Sequence, residues 1–160
     1  IYEGTTAIQA NDLVGRKTSR DGGQTAKALA DQVAQTEAQL SASGNADAQA
    51  MAKRLKAARE AFVDVVNFVA GNTKAKPNDV FAGSVPYLML TGNLMAGWQM
   101  GRAMLVALTP EAQAQDAAFM ASKVTTARFY ADHILSKVPG IRDSIVDGAG
   151  SVTELALDAF

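Results

Sequence analysis

Two apolar stripes of identical spacing constrain this chain more than any other feature. Met51, Leu55, Ala58, Phe62, Val65 and Val69 follow at intervals of 4-3-4-3-4, and Met120, Val124, Ala127, Ala131, Ile134 and Val138 repeat the pattern. At about 3.6 residues per turn, such positions stay on one side of a helix. Lys53, Lys56, Glu60 and Asp64 fall on the opposite side of the first stripe. Two long helices with matched stripes are antiparallel partners in a bundle. The expected fold class is all-α: an antiparallel helical bundle of about four long helices, preceded by a short one.

The turn residues divide the chain accordingly. Thr6 to Lys17 reads as the short helix, with Ile8, Leu13 and Val14 on its apolar side, stopped by Asp21-Gly22-Gly23 because glycine adopts the left-handed conformation at little cost. Gln24 to Ser41 forms a second helix with Leu29, Val33 and Leu40 as a thin stripe. Asn45 after Ser43-Gly44 caps a third, running from Ala46 to about Ala70. Thr109-Pro110-Glu111 opens another helix, with Thr as cap and Pro at the first helical position, and Pro139-Gly140 closes it. Ser151 to Phe160 reads as a short final helix capped by Ser151.

Residues 80–101 carry no charged side chain, which is long enough on paper to cross a bilayer. Pro86, Asn93, Gln99, Gly83 and Gly92 interrupt the stretch, Arg102 follows at once, and the flanks lack a one-sided basic excess. A helix that is apolar all round is equally expected at the centre of a soluble bundle, where glycines admit close neighbours. The central buried helix is the expectation, with Trp98 and Met89, Met95, Met100 and Met104 packing the core.

Composition excludes several kinds of chemistry. Of 160 residues, 48% are apolar and 19% charged, as in globular domains. A net charge of -1 gives no electrostatic case for nucleic acid or an anionic membrane. Without cysteine there is no disulfide, thiolate nucleophile or Cys-bearing zinc site. A lone His133 supplies too few nitrogens for a His-based metal site, so no metal is expected. His133 and Asp132 are helical neighbours whose side chains diverge, which argues against a catalytic dyad. Arg16, Lys17 and Arg20 close the first helix, where cations complement its dipole.

The chemistry concentrates at Tyr2-Glu3-Gly4-Thr5-Thr6-Ala7-Ile8-Gln9. A carboxylate suits proton abstraction when a water-poor pocket tunes its pKa, and a following glycine lets a ligand approach the backbone without a Cβ in the way. Read for composition alone, Glu-Gly-Thr is equally a turn before a helix with Thr5 or Thr6 as N-cap. The whole string resembles the segment that bears the catalytic base in FAD-dependent acyl-CoA dehydrogenases. Asp12-Leu13-Val14-Gly15-Arg16-Lys17 and Arg20-Asp21-Gly22-Gly23 extend the likeness. They are similar to a bacterial subgroup with an extra C-terminal helical domain, the 3-methylmercaptopropionyl-CoA dehydrogenase-like enzymes. The rest of the chain resembles that extra domain in length and layout, most recognisably at Phe129-Tyr130-Ala131-Asp132-His133-Ile134-Leu135.

The resemblance implies a C-terminal piece of such an enzyme. Residues 1–23 would end the flavin domain, its short helix included, and residues 24–160 would form the helical bundle domain. It implies Glu3 as the base that takes the α-proton of an acyl-CoA, with its backbone N–H and an FAD hydroxyl holding the thioester carbonyl. Gly4 would lie against the substrate, and Thr5, Thr6 and Gln9 would contact the FAD cofactor. Ala7 stands where many members have Gln, so that contact is missing. The implied partners are the rest of the dehydrogenase chain, an electron-transfer flavoprotein or similar acceptor, and further copies in a homo-oligomer, all in the bacterial cytoplasm. The fragment alone is expected to be inactive and not to hold FAD. The alternative is a stand-alone helical interaction or oligomerisation module without catalysis.

Overall fold

A computed structural model describes residues 5–159. Among them every regular element is helical. The first, α1 (Thr6–Asp12), runs without a break into a π-helical stretch, Leu13–Ser19. Its buried residues, Ala10, Val14 and Thr18, are four apart. At 3.6 residues per turn that spacing drifts by about 40° at each step. The wider i→i+5 turn brings every fourth residue back towards one line, so the π-helix keeps this spine facing the bundle. Ile8, expected on the apolar side, is instead 66% exposed, because the spine selects Ala10 and turns Ile8 outward.

The segment ends in a Schellman turn. The Gly23 N–H donates to the Thr18 carbonyl (2.8 Å) and the Gly22 N–H to that of Ser19 (3.3 Å), with Gly22 at φ +67° and Gly23 at φ +80°. The Asp21 carboxylate then accepts from the Gly23 and Thr25 N–H groups at 2.9 and 3.0 Å. Hydrogen bonds from the Thr25 side chain and backbone hold its pKa below the usual carboxylate range. One acid thus ties the end of the first segment to the start of α2 (Gln24–Ala42).

Helices α2 and α3 (Ala46–Asn72) form an antiparallel hairpin. Asn45 caps α3 as expected, its Oδ1 accepting from Asp47 N–H (2.9 Å) and Ala48 N–H (3.0 Å). Asn45→Ala is expected to cost about 1 kcal/mol, or about 3 °C of thermal midpoint for a domain of this size, measurable by circular dichroism. All six members of the α3 stripe are buried. Leu29 of α2 is half-exposed, its place in the core taken by Ala26, Ala30 and Val33.

The charge-free stretch runs from the end of α4 (Pro77–Ala82), through a break at Gly83, into α5 (Ser84–Ala107). No helix among the described residues is long and apolar enough to cross a membrane. Instead α5 is the central helix, packed by α1, α2 and α3 and by α7 and α8. Glycine makes this possible: a Cβ on Gly97 would stand 2.6 Å from Leu135, and one on Gly101 3.0 Å from Leu40. Met104 is buried, and Met95, Met100 and Trp98 pack against the core. Met89 does not, being 54% exposed.

The second half departs most from expectation. Thr109 caps as anticipated, accepting from Ala112 N–H, but the helix it opens, α6 (Pro110–Gln115), is only six residues long. Asp116 then caps a new one, accepting from Phe119 N–H at 3.0 Å, and α7 (Ala117–His133) follows. A 3-10 turn at Leu135–Lys137 leads to α8 (Val138–Val146). Pro139-Gly140 therefore starts a helix rather than closing one, since Pro needs no N–H partner in a first turn. The expected stripe spans two helices: Ala127, Ala131 and Val138 are buried, while Met120, Val124 and Ile134 are partly so. Residues 151–159 hold short 3-10 turns, not the single helix expected. The Ser151 hydroxyl donates to the Gly148 carbonyl instead of capping.

Candidate functional site

The turn to which the resemblance assigns a catalytic base is only partly in view. Glu3 and Gly4 lie outside the described residues. Thr5 occupies the N-cap position of α1, its carbonyl accepting the Gln9 N–H at 2.8 Å, with no side-chain cap hydrogen bond. Thr5 and Gln9 are exposed one helical turn apart, and Thr6 is half-buried. The polar side chains of that turn are uncharged hydroxyls and an amide. Such groups suit an edge contact with hydroxyl or phosphate oxygens.

Behind Thr5 the first helical segment is anchored in the interior. Ala10, Val14 and Thr18 are buried at 0%, 0% and 1% exposure. The Thr18 Oγ1 and Tyr87 Oη lie 2.9 Å apart in the interior. Burial raises the Tyr87 pKa above its ordinary value, partly offset by the Thr18 hydrogen bond, so the phenol stays neutral and the pair is a hydroxyl–hydroxyl contact. Arg16 pairs with Asp12 at 3.1 Å on the outer surface.

Elsewhere among the described residues the surface carries open grooves. One, about 480 Å³, runs between α2 and α3 and is lined by Glu37, Arg59, Lys53, Lys56, Gln49 and Ser41. Glu37 is no base: Arg59 donates to both its oxygens, at 2.6 and 3.1 Å, and that bond raises the Arg59 pKa further. The bidentate pair, with side chains 20% and 10% exposed, clamps the hairpin. Arg59→Ala would strand the Glu37 carboxylate and is expected to cost about 2 kcal/mol, read as a lower urea midpoint with an unchanged slope. No cluster among the described residues has the acids and histidines to hold a metal ion.

Residues 129–135 join helices. Tyr130 donates to the Asn93 carbonyl of α5 at 3.2 Å, and Leu135 fills the space over Gly97. Arg128 bridges Asp132 (2.7 Å) and Asp47 of α3 (2.9 Å), and its hydrogen bond holds the Asp132 pKa below the usual carboxylate range. His133 is exposed and stacks on Phe129 with ring centroids 4.5 Å apart, while Asp132 is engaged by arginines, so the two form no dyad.

Residues 27–156 match the family described as acetyl-CoA dehydrogenase C-terminal like. The chain belongs to that family. Among curated proteins, this acyl-CoA dehydrogenase C-terminal domain is 46% identical over 157 residues to the 3-methylmercaptopropionyl-CoA dehydrogenase of Ruegeria pomeroyi, covering 98% of this chain and 26% of the relative. It is 34% identical over 176 residues to the broad-specificity linear acyl-CoA dehydrogenase FadE5 of Mycobacterium tuberculosis, covering 100% of this chain and 27% of that protein. The chain thus spans about a quarter of the length of the curated relatives it matches. The resemblance read from the first 23 residues and the helical layout identified this family.

Three polar links in the domain escaped the sequence reading: Glu37–Arg59, Thr18–Tyr87, and the Trp98 Nε1–H donating to Thr36 Oγ1 at 2.8 Å. Glu37 had a visible signal, because it sits four after Val33 and three before Leu40 on an apolar stripe. The two threonines had none, since their hydroxyls meet partners more than sixty residues away.

Proposed function

We propose that this chain is the C-terminal part of an FAD-dependent acyl-CoA dehydrogenase, with residues 1–23 ending the flavin domain and residues 24–160 forming a helical domain beside it. The observation that carries the reading is the 46% identity to a named acyl-CoA dehydrogenase across 98% of the chain. Glu3 takes the proton α to the thioester, and its backbone N–H donates to the thioester carbonyl as negative charge builds there. Gly4 leaves room for the acyl chain to pass the backbone. FAD, when bound, supplies the acceptor for the hydride leaving the β carbon, so the product is a 2-enoyl-CoA. Thr5, Thr6 and Gln9 hold the cofactor's polar edge.

Electrons then leave to an electron-transfer flavoprotein or similar acceptor, the enzyme works as a homo-oligomer, and a bacterial cytoplasmic setting fits this chemistry. The bundle contributes structure, and the isolated chain is inactive and holds no FAD. The test compares the longer parent protein with its Glu3→Gln variant in acyl-CoA-dependent dye reduction, with bound flavin measured in both. A parent that reduces dye only when Glu3 is intact supports the assignment. A parent without flavin, or a variant of undiminished turnover, ends it.

A further inference from the structure

Although α5 is the central helix, one of its sides is uncovered. Val85, Met89, Gly92, Ala96, Gln99, Ala103 and Val106 follow at 4-3-4-3-4-3, the spacing of a helix seam. All but the half-buried Ala96 are exposed, Met89 to 54% and Val106 to 62%. Arg102 is the one charge on this helix. It is held along the surface, with its guanidinium 5.6 Å from the Trp98 ring centre and donating to Gln99 Oε1 at 2.9 Å. Two grooves that share Gln39 and Arg102 run along the seam between α5 and α2. There α2 adds a second uncharged ridge, the exposed Ala28, Gln32, Gln35 and Gln39, spaced 4-3-4. In a chain with 19% charged residues, a face with a single charge has the composition of an interface core, from which charges are depleted.

We propose that this face pairs with a second copy of the same chain, α5 lying antiparallel on α5 with Ala96 at the two-fold axis. A two-fold interface must be complementary to itself, so that residue i meets j and j meets i. The stripe has that property. About Ala96, Met89 falls opposite the partner's Ala103 and Gln99 opposite the partner's Gly92, a large side chain over a small one each time, and Val85 falls opposite the partner's Val106. Parallel pairing would instead set Met89 on Met89 and Gly92 on Gly92, a bulge beside a gap. The antiparallel register also keeps the two Arg102 side chains about 18 Å apart along the helices, beyond the screening length of about 8 Å. The area is adequate. From Val85 to Val106 the stripe is about 32 Å long and about 10 Å wide. With the α2 ridge the footprint is about 500 Å² on each copy, or about 1,000 Å² for the pair, where specific interfaces begin. The pairing gives the homo-oligomer proposed above a specific contact, yet it rests on no catalytic assignment, so loss of the dehydrogenase reading would leave it standing.

Cysteine crosslinking tests the register. Helix axes about 8 to 10 Å apart, with Cα atoms about 2.3 Å from each axis, leave about 3.5 to 5.5 Å between the two Ala96 Cα atoms, within reach of a disulfide. The chain has no cysteine, so an introduced thiol is the only one in this domain. The full-length protein is oxidised mildly as wild type, Ala96→Cys, Met89→Cys and Ala103→Cys, and run on non-reducing gels. A disulfide dimer is expected in Ala96→Cys and in an equal mixture of Met89→Cys with Ala103→Cys. Either of those two alone should stay at the wild-type level, because like positions lie about 21 Å apart along the helices. A Cβ added at Gly92 meets nothing within 4 Å, so Gly92→Lys should keep the thermal midpoint. Combined with Ala96→Cys it should cut crosslinking at least about tenfold by setting charges in the seam. Wild-type levels of crosslinking in Ala96→Cys overturn the pairing. They do so whether its thiol reacts freely with maleimide, which leaves the face to solvent, or reacts only after unfolding, which gives the face to another domain of the same polypeptide. Equal crosslinking in all three single variants, or no loss on adding Gly92→Lys, overturns it as well.

Discussion

Glu3→Gln in the longer parent chain is expected to lower kcat by about 10³-fold while leaving KM within about threefold. Gln keeps the size and hydrogen-bonding reach of Glu but cannot accept a proton, and a positioned general base contributes about 10²- to 10⁴-fold. The backbone N–H at the same position is untouched, so the thioester carbonyl keeps its donor and binding should hold. Steady-state dye reduction gives both constants, and flavin absorbance before and after substrate shows whether the cofactor is retained and whether reduction is the step that fails. A matched loss in both constants would mean that the side chain binds substrate rather than removing a proton from it.

Gly23→Ala is expected to destabilise the chain by about 3 kcal/mol, from two penalties that fall on one atom. The residue sits at φ +80°, where an L side chain costs about 1–2 kcal/mol. Its new Cβ would stand 2.5 Å from Cγ1 of Val66, a fully buried and β-branched neighbour with little rotamer freedom, which adds about 1–3 kcal/mol of overpacking. The neighbouring glycine is the control. Gly22 has φ +67° but open space around it, so Gly22→Ala should cost only the backbone share, about 1 kcal/mol. Urea unfolding of the two variants side by side measures the difference, and equal midpoints would show that Val66 yields.

The parts of this fold legible in the sequence were those written by local chemistry. The α3 stripe, the Asn45 and Thr109 caps and the Asp21-Gly22-Gly23 stop depend on residues within one turn of each other, and each appears where the pattern puts it. The second long stripe misled because periodicity is blind to phase breaks. The turn at Leu135–Lys137 interrupts it while the apolar spacing carries on across the break. Ile8, Leu29 and Met89 are apolar residues that the geometry left outside. No local signal marks them, because which face a helix buries is decided by partners elsewhere in the chain. Of the candidate site, Thr5, Thr6 and Gln9 came from family likeness and are seen at the surface end of α1. Thr18 and Tyr87, which anchor that helix, could be found only once the chain was folded.

The central helix α5, with Arg102 as its one charged residue, has a consequence for biosynthesis. Helix α5 packs against α1, α2 and α3, all of which precede it in the chain, and against α7 and α8, which are made afterwards. A nascent polypeptide thus carries a finished hairpin and a half-covered apolar rod while ribosomes add the last partners. Protection by chaperones should matter most in that interval, because transiently bare apolar surface is what drives growing chains to aggregate.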